Sequence, residues 1–258
     1  FKDVKNVFEG DVNREIRTLV DRYYDSDEVS RNTRVAFFDI EVEVGDAFPD
    51  YKNPVNELRS FTLYDVITKT FHAYIVDPDN RVTLQSKDNI IIKCFETEIE
   101  LIYAFLDLLE EINPTIISGW NSDYFDIPYL YNRIIHTIGY NKACSISPIG
   151  KVVYQEKAEI YKIAGLTQMD YLKLYRKLSM GERPSYKLDA IGESEVGIKK
   201  LDYEGTLDDL WEQDRNRYLS YNINDVRILV ELDKKLNYID IARAICHKGH
   251  VPYEFYSI

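Results

Sequence analysis

Cysteine is scarce in this sequence, and its scarcity excludes a fold that depends on disulfide bonds. The 258 residues include three cysteines, Cys94, Cys144 and Cys246, which are odd in number and far apart. Such a set is typical of unpaired thiols in a reducing compartment. Cys246 with His247 and His250 resembles half of a zinc knuckle, but a fourth ligand and the usual spacing are missing, so we expect no metal there.

Long apolar runs and an excess of basic charge are also lacking. No run approaches the roughly 18 apolar residues of a membrane-spanning helix, and the N-terminus has no signal-peptide pattern. The formal net charge of −12 argues against a protein that wraps duplex nucleic acid in a basic surface. It leaves room for an enzyme that holds a short single strand through metal ions and local contacts.

What is present indicates a folded α/β domain. With 45% hydrophobic and 13% aromatic residues, the chain can bury a large core as one domain or as one domain with an arm. Strands are predicted from Val35 and over 60–66, 70–76, 89–95, 115–118 and 166–169, with a hairpin over 151–162. Helices are predicted over 11–23, 171–178 and 215–236 and from Pro184. A further helix has Pro128 near its first turn, and a capping box of Thr97 and Glu100 predicts another.

Two acids lie within the first apolar run. On a strand from Val35, Asp39 and Glu41 point to one face while Phe38 and Ile40 point to the other. Two neighbouring carboxylates in a buried setting repel, and a divalent cation would relieve the repulsion. The alternative is an exposed edge strand, which also carries acids.

Two later stretches add acids and a tyrosine. Asp126 lies at the start of a predicted helix, where the helix dipole favours an anion; the alternative is an ordinary N-cap. Tyr221 and Asp225 are four residues apart and therefore share one face of the last predicted helix. Their alternative role is a pair at the solvated edge of that face.

These residues, in this chain order, resemble the three exonuclease motifs of the DEDD superfamily, tyrosine branch. The flanking sequences Phe-Asp-Ile-Glu-Val, Gly-Trp-Asn-x-x-x-Phe-Asp-Ile-Pro-Tyr, Pro-Ser-Tyr-Lys-Leu and Tyr-x-x-x-Asp-Val look like the 3′-5′ proofreading domain of family B DNA polymerases. Residues 45–49 and 203–205 are also similar to stretches in the replicative polymerases of T-even-type bacteriophages. The resemblance covers about residues 34–240.

The resemblance implies a fold and a metal site. The expected fold is a ribonuclease-H-like mixed β-sheet flanked by helices, with an inserted β-hairpin. Asp39, Glu41, Asp126 and Asp225 match the family's four metal-binding carboxylates, and Tyr221 matches the tyrosine that orients the attacking water. Carboxylates suit two divalent cations, Mg²⁺ or Mn²⁺, and Asp39 is expected to bridge them.

The resemblance also implies contacts to DNA. Phe48 matches an aromatic residue near the 3′-terminal bases, and Asn121 and Phe125 match residues that contact or enclose the substrate. Lys200 matches a lysine that contacts phosphate in some members, although Lys199 is adjacent and leaves the assignment open. The hairpin at 151–162 corresponds to one that helps to separate strands, but it is shorter here, so its role stays open.

The predicted function is removal of nucleotides from the 3′ end of single-stranded or primer DNA during viral DNA replication. Alternatives are a catalytically silent or single-strand-binding module, and an RNA-trimming member of the superfamily. Residues 1–33 are expected to be the remnant of an N-terminal domain, 34–240 the exonuclease domain, and 241–258 the start of a segment leading to a polymerase domain. Nothing in the sequence resembles the family's polymerase motifs. The implied partners are primer–template DNA, the rest of a polymerase chain and replisome proteins such as a sliding clamp, in the cytoplasm of a host cell.

Overall fold

The central sheet of the protein is built around the strand that carries the first two acids. This computed structural model describes residues 13–27, 30, 32–45, 49–87 and 89–257. The strands are β1 (Val35–Val42), β2 (Leu58–Asp65), β3 (Thr70–Val76), β4 (Ile90–Phe95), β5 (Ile116–Ser118), β6 (Val152–Gln155), β7 (Ile160–Ile163) and β8 (Thr167–Gln168). The helices are α1 (Arg14–Tyr23), α2 (Glu98–Ile112), α3 (Asp126–Ile138), α4 (Tyr140–Ala143), α5 (Tyr171–Leu178), α6 (Leu188–Val196), α7 (Leu207–Gln213), α8 (Arg215–Leu236) and α9 (Tyr238–Lys248). Short 3₁₀ helices cover Cys144–Ile146 and Tyr253–Ser257.

Six of these strands form one mixed sheet. Their order is β4-β3-β2-β1-β5-β8, in which β2 runs antiparallel to β1 and β3. Strands β4, β5 and β8 each join a parallel neighbour. β6 and β7 pair separately as a hairpin. The expected α/β fold, a mixed sheet flanked by helices with an inserted hairpin, is confirmed.

The two faces of β1 are covered by different helices. Ile40 pairs with Phe61 of β2, and the Phe61 ring meets Phe105 of α2 with 5.0 Å between ring centroids. On the opposite face, Asp39 pairs with Thr62, and α8 packs across both strands. The alternation of β1 thus sends Ile40 to the side of α2 and the acids Asp39 and Glu41 towards α8.

Local sequence signals set several helix ends. Thr97 and Glu100 form the predicted capping box at the start of α2: Thr97 Oγ1 accepts from the N–H of Glu100, and Glu100 Oε2 accepts from that of Thr97. α8 begins at Arg215, as predicted, where Asp214 accepts from the N–H of Arg217. The helix ends at Leu236, because Asn237 adopts a left-handed conformation with φ of 55°.

Asp126 lies at the start of α3, as predicted, whereas its alternative role as N-cap is wrong, since Phe125 holds that position and makes no side-chain cap bond. Other expected boundaries differ from the structure. The helix expected from Pro184 begins only at Leu188. Helices α4, α7 and α9 were not predicted, although Thr206 opens α7 with a capping box of the same kind as that of α2.

Residues 238–257 pack against α5. Tyr238 stacks on Tyr171 with 6.4 Å between ring centroids, and the Tyr256 hydroxyl accepts a 2.8 Å hydrogen bond from the N–H of Asp170. The domain boundaries expected at 33/34 and 240/241 stay a prediction. In the part of the chain that the structure describes, no helix is both long and apolar enough to cross a bilayer.

Candidate metal centre

Three carboxylates from two elements converge on the face of the sheet that α8 covers. Asp39 and Glu41 come from β1, and Asp225 comes from the middle of α8. One oxygen from each lies within 4.8 Å of the others. The convergence follows from the periods of the two elements. Every second residue of the strand β1 faces α8, and the 3.6-residue period of the helix α8 places Asp225 on the side that faces β1. The structure therefore brings the first and third acidic motifs together.

The fourth predicted acid, Asp126, lies in the same cleft. It occupies the first turn of α3, and its Oδ1 accepts a 3.3 Å hydrogen bond from the backbone N–H of Ile40. It lies outside the group of three whose oxygens are within 4.8 Å of one another. The role of Asp126 as a metal-binding carboxylate stays a prediction.

Burial raises the pKa of all four acids, and repulsion within the cluster raises those of Asp39 and Glu41 further. Burial contributes most to each shift, and for Asp39 the charges of Glu41, Asp126 and Asp225 raise the pKa further. Burial, followed by the charge of Asp225, raises the pKa of Glu41 to about 8. Burial also raises the pKa of Asp126 to about 7 and that of Asp225 to about 6. A carboxylate cluster of this kind needs protons or cations to relieve its charge.

Lys200 contributes positive charge to the cleft. Its Nζ donates to Asp225 Oδ2 at 2.5 Å and to the Tyr221 hydroxyl at 2.9 Å. Burial lowers the pKa of Lys200, but Asp225 and Tyr221 outweigh that effect and raise it above its ordinary value. Lys199, which the sequence left as an alternative, is exposed and pairs with Glu193 at 2.8 Å. Lys200 is therefore the lysine of the cleft.

Tyr221 also lies at the cleft, one helical turn before Asp225. Its ring meets Tyr203 edge-on with 5.5 Å between centroids, and its hydroxyl accepts from Lys200. Burial raises its pKa above the ordinary value of 10.0. At neutral pH the hydroxyl therefore stays protonated and can orient a water molecule by hydrogen bonding, but it cannot serve as a general base.

The residues of the cleft fit a hard divalent cation. Oδ1 of Asp225 is buried without a hydrogen-bond partner, and an unpaired buried carboxylate oxygen is costly unless a cation or a proton satisfies it. The three converging groups are all carboxylates, which are ligands suited to Mg²⁺ or Mn²⁺ rather than to zinc.

Aromatic side chains line the rest of the cleft. Tyr51, Trp120, Tyr124 and Phe125 border a volume of about 650 Å³ that also contains the acids. The Phe125 ring lies 5.6 Å from that of Tyr129. Stacked bases of a single strand bind to surfaces of this kind. The predicted aromatic contact Phe48 lies outside the described residues.

Asn121 lies where the aromatic and acidic parts of the cleft meet. Its backbone has a left-handed conformation with φ of 63°, which asparagine tolerates better than most residues. Asp170, the N-cap of α5, holds this loop by accepting from the N–H groups of Asn121 and Asp123 at 3.2 Å each. These hydrogen bonds hold Asn121 at the lining of the cleft.

Sequence reasoning missed some residues of the site. It quoted Trp120 within a motif but gave it no role, and it overlooked Asp170 and Asn222. Asp170 precedes a predicted helix and could have been recognised as an N-cap. Asn222 lies in a helix whose neighbouring residues are apolar, and a polar residue at such a position calls for a buried partner.

Comparison with known proteins shows a family match over most of the chain. The family model described as DNA polymerase family B, exonuclease domain, matches residues 5–191. The DNA-directed DNA polymerase of Escherichia phage RB69 is 35% identical over 237 residues, covering 81% of this chain and 26% of that polymerase. The DNA-directed DNA polymerase of Enterobacteria phage T4 is 32% identical over 248 residues, covering 85% of this chain and 27% of that polymerase.

A more distant relative is the DNA polymerase catalytic subunit of Epstein-Barr virus (strain B95-8), which is 25% identical over 189 residues, or 66% of this chain and 18% of that subunit. The chain spans about a quarter of the length of the two phage polymerases that it matches. The six-stranded mixed sheet agrees with the ribonuclease-H-like fold expected for this family.

Proposed function

Because the chain belongs to the exonuclease-domain family of the family B DNA polymerases, we propose that it removes nucleotides from the 3′ end of DNA and releases 5′-monophosphates. In this role it is the proofreading part of a DNA-directed DNA polymerase that replicates viral DNA. The observation that carries the proposal is the convergence of Asp39, Glu41 and Asp225 in a cleft that also contains Asp126 and Tyr221.

The acids are proposed to hold two divalent cations, Mg²⁺ or Mn²⁺. Asp39 would bridge them, Glu41 and Asp225 would hold the one on the side of the attacking water, and Asp126 would hold the other. When bound, the cations would supply positive charge for the attacking water and for the leaving 3′ oxygen. They would also let an acidic protein accept a phosphate group, since they invert the local charge.

The other polar groups of the cleft orient the reactants. The Tyr221 hydroxyl is proposed to position the water, and its hydrogen bond from Lys200 fixes one lone pair and leaves its proton free to be donated. The Lys200 ammonium is positioned beside the scissile phosphate in this proposal. Removal of a hydrogen bond to a charged group costs about 1.5 to 3 kcal/mol, which corresponds to a loss of roughly ten- to a hundredfold in rate.

A single-stranded end is the proposed substrate. The aromatic lining of the cleft, which includes Trp120 and Phe125, supports stacking with unpaired bases, and Asn121 lies beside it. The contact of Phe48 stays a prediction. The template–primer duplex and the rest of the polymerase chain are the proposed partners, in the cytoplasm of the host cell. No contact described here bears on a sliding clamp.

The silent-module alternative is disfavoured by the charge of the cleft. A domain kept only for packing gains nothing from acids whose burial and repulsion raise their pKa, and Asp225 retains an unpaired oxygen. The RNA-trimming alternative is disfavoured by the match to DNA polymerases. Each alternative predicts a different result in an activity assay.

The test is incubation of the chain with 5′-labelled single-stranded DNA and, separately, RNA, with Mg²⁺ or with EDTA. We expect a ladder that shortens from the 3′ end of DNA with Mg²⁺ and no cleavage with EDTA. Asp39→Ala should lower the rate at least about a thousandfold, since about 4 kcal/mol of charge stabilisation is lost.

Two adjacent lysines provide a matched control. Lys200→Ala should lower the rate roughly ten- to a hundredfold, whereas Lys199→Ala should be about as active as the unmodified chain, because Lys199 is exposed and away from the acids. DNA bound but left intact would support the silent module, and degradation of RNA alone would support the RNA-trimming alternative. Unchanged degradation by Asp39→Ala would place the activity at another centre.

A further inference from the structure

A fully buried asparagine on α8 lies directly against the acid at the centre of the cluster. Asn222 follows Tyr221 and has no exposed surface, so both its amide hydrogens and its carbonyl oxygen need partners inside the protein. Leaving one of these groups unpaired would cost about 1 to 3 kcal/mol. Nothing in the proposed chemistry requires Asn222 to touch the substrate, so its partners indicate what it does.

The partners of Asn222 join the cluster to the sheet. Its Nδ2 donates to Asp39 Oδ2 at 2.7 Å and approaches the backbone carbonyl of Asp39 at 3.4 Å. Its Oδ1 accepts from the Thr62 hydroxyl at 2.7 Å. The backbone carbonyl of Asp39 can only accept, so the amide nitrogen must face Asp39 and the amide oxygen must face Thr62.

The register of β1 and β2 makes this relay possible. Asp39 and Thr62 are directly opposite each other, with both side chains on the face that α8 covers. Asn222 descends from α8 and bridges the two side chains. The next pair along, Glu41 with Ser60, lacks an equally close relay, because Ser60 Oγ is 3.5 Å from Asn222 Oδ1.

The relay orients a carboxylate without neutralising it. Asp39 cannot turn its carboxylate plane without breaking a short, buried hydrogen bond whose acceptor is charged. The partner of Asp39 is a neutral amide, whereas that of Asp225 is the ammonium group of Lys200. Asn222 therefore fixes the orientation of the Asp39 carboxylate without supplying a counter-charge, so relief of that charge is left to a cation or a proton.

We propose that Asn222, itself held by Thr62, is the positioning residue that sets the orientation of the Asp39 carboxylate for cation binding. This inference rests on the proposed function for its role in DNA degradation, but the cation binding that it predicts can be measured without DNA. Partners that hold a metal ligand from behind typically change metal affinity or activity by ten- to a hundredfold when they are removed.

The test compares five forms of the full chain: unmodified, Asn222→Leu, Thr62→Val, Thr62→Ser and Ser60→Ala. Free Mn²⁺ is titrated without DNA and followed by electron paramagnetic resonance, which gives affinity directly. Asn222→Leu should bind Mn²⁺ at least about tenfold more weakly, and Thr62→Val should weaken binding by several-fold because the amide loses the bond that fixes it. Thr62→Ser and Ser60→Ala should bind about as tightly as the unmodified chain.

Two further measurements separate positioning from loss of the fold. Melting in EDTA shows whether each variant is folded, and the Mg²⁺ dependence of DNA degradation should show a raised half-saturating concentration for Thr62→Val that Thr62→Ser restores. If Asn222→Leu does not fold, the comparison of Thr62→Val with Thr62→Ser carries the test alone.

The inference is overturned if folded Asn222→Leu and Thr62→Val bind Mn²⁺ as tightly as the unmodified chain, or if the unmodified chain binds none. A chain that degrades DNA normally while those variants keep full Mn²⁺ affinity refutes the role of Asn222 and leaves the nuclease intact. If the affinity for Mn²⁺ depends on Asn222 but the unmodified chain leaves DNA intact, the nuclease assignment is refuted and the positioning role of Asn222 stands.

Discussion

Two buried charge clusters in this protein use carboxylates in opposite ways. Arg133 of α3 forms a two-pronged pair with Glu98, with both N–O distances at 2.7 Å, and also donates to the backbone carbonyls of Pro54 and Val55. Glu98 accepts in addition from the backbone N–H of Leu58 at 2.7 Å. One negative charge meets one positive charge there, and both carboxylate oxygens have donors.

The candidate metal centre lacks that balance. Asp39, Glu41, Asp126 and Asp225 share the cleft with Lys200. Asp225 keeps an unpaired buried oxygen, and the pKa of Glu41 is raised to about 8 by burial and by Asp225. A buried ion pair such as that of Arg133 and Glu98 holds elements of the fold together. Buried carboxylates without enough counter-charge lower the stability of the fold, and such groups are typical of ligand-binding sites. Three predictions test this contrast.

The largest expected effect lies in the balanced cluster. Arg133→Met leaves Glu98 buried without its counter-charge, so the free energy of unfolding should fall by about 3 to 5 kcal/mol. Chemical denaturation measures the change. Per folded molecule, degradation of DNA should be unaltered, because Arg133 does not line the cleft.

An exposed ion pair provides the control for Arg133. Lys234→Ala removes a pair with Glu231 that solvent surrounds, and should cost no more than about 1 kcal/mol. If Arg133→Met lowers the free energy of unfolding as little as Lys234→Ala does, the buried pair does not stabilise the fold. The contrast between the two charge clusters is then contradicted.

The middle effect lies in the unbalanced cluster. A cation that binds the folded chain alone, at about a hundred times its dissociation constant, should raise the free energy of unfolding by about 2.7 kcal/mol. Melting with Mg²⁺ and with EDTA measures the difference. Asp225→Asn should lose most of this gain, while Lys234→Ala should keep it. If the unmodified chain has the same melting temperature with Mg²⁺ as with EDTA, the assignment of the metal site is contradicted.

The smallest effect is a pH dependence of opposite sign in differently paired acids. Without cations, Glu41 keeps its proton in the folded state up to about pH 8, whereas the unfolded chain releases it near 4.5. The contribution of protonated Glu41 to the free energy of unfolding is therefore fully present below about pH 4.5 and is lost as the pH rises through about 8. The loss should be on the order of 1 to 2 kcal/mol, because solvent in the open cleft screens the charges.

Asp65 provides the opposite case. Burial tends to raise its pKa, but hydrogen bonds from Arg34, Thr68 and the backbone lower it to about 2. The contribution of Asp65 to the free energy of unfolding is therefore present above pH 3.8, its ordinary pKa, and is lost as the pH falls through about 2. Denaturation of the metal-free chain between about pH 2 and 9 measures both limbs. Asp65→Asn should flatten only the acid limb, and Glu41→Gln only the alkaline one; a shared response would contradict the contrast.

Much of the fold was readable from local patterns. The apolar run from Val35 predicted β1, the capping box at Thr97 predicted the start of α2, and the bounds of β3, α5 and α8 agree with the predicted ranges. These signals depend on neighbours in the chain, so a sequence displays them directly. Helix α9 was missed because it has no side-chain N-cap bond to signal its start, and it packs on the 3₁₀ helix Tyr253–Ser257 and on α5, which a local pattern does not display.

The sequence by itself determined which residue types could do the chemistry: acids spaced on a strand, an acid at a helix start, and a tyrosine four residues before another acid. Only the tertiary structure decided how they are held, with Asn222 against Asp39, Lys200 rather than Lys199 against Asp225, and Asp170 under the Asn121 loop. The reason is geometric. Periodicity along the chain fixes which face a side chain takes, but a hydrogen bond between residues 183 positions apart depends on how the sheet and the helix pack.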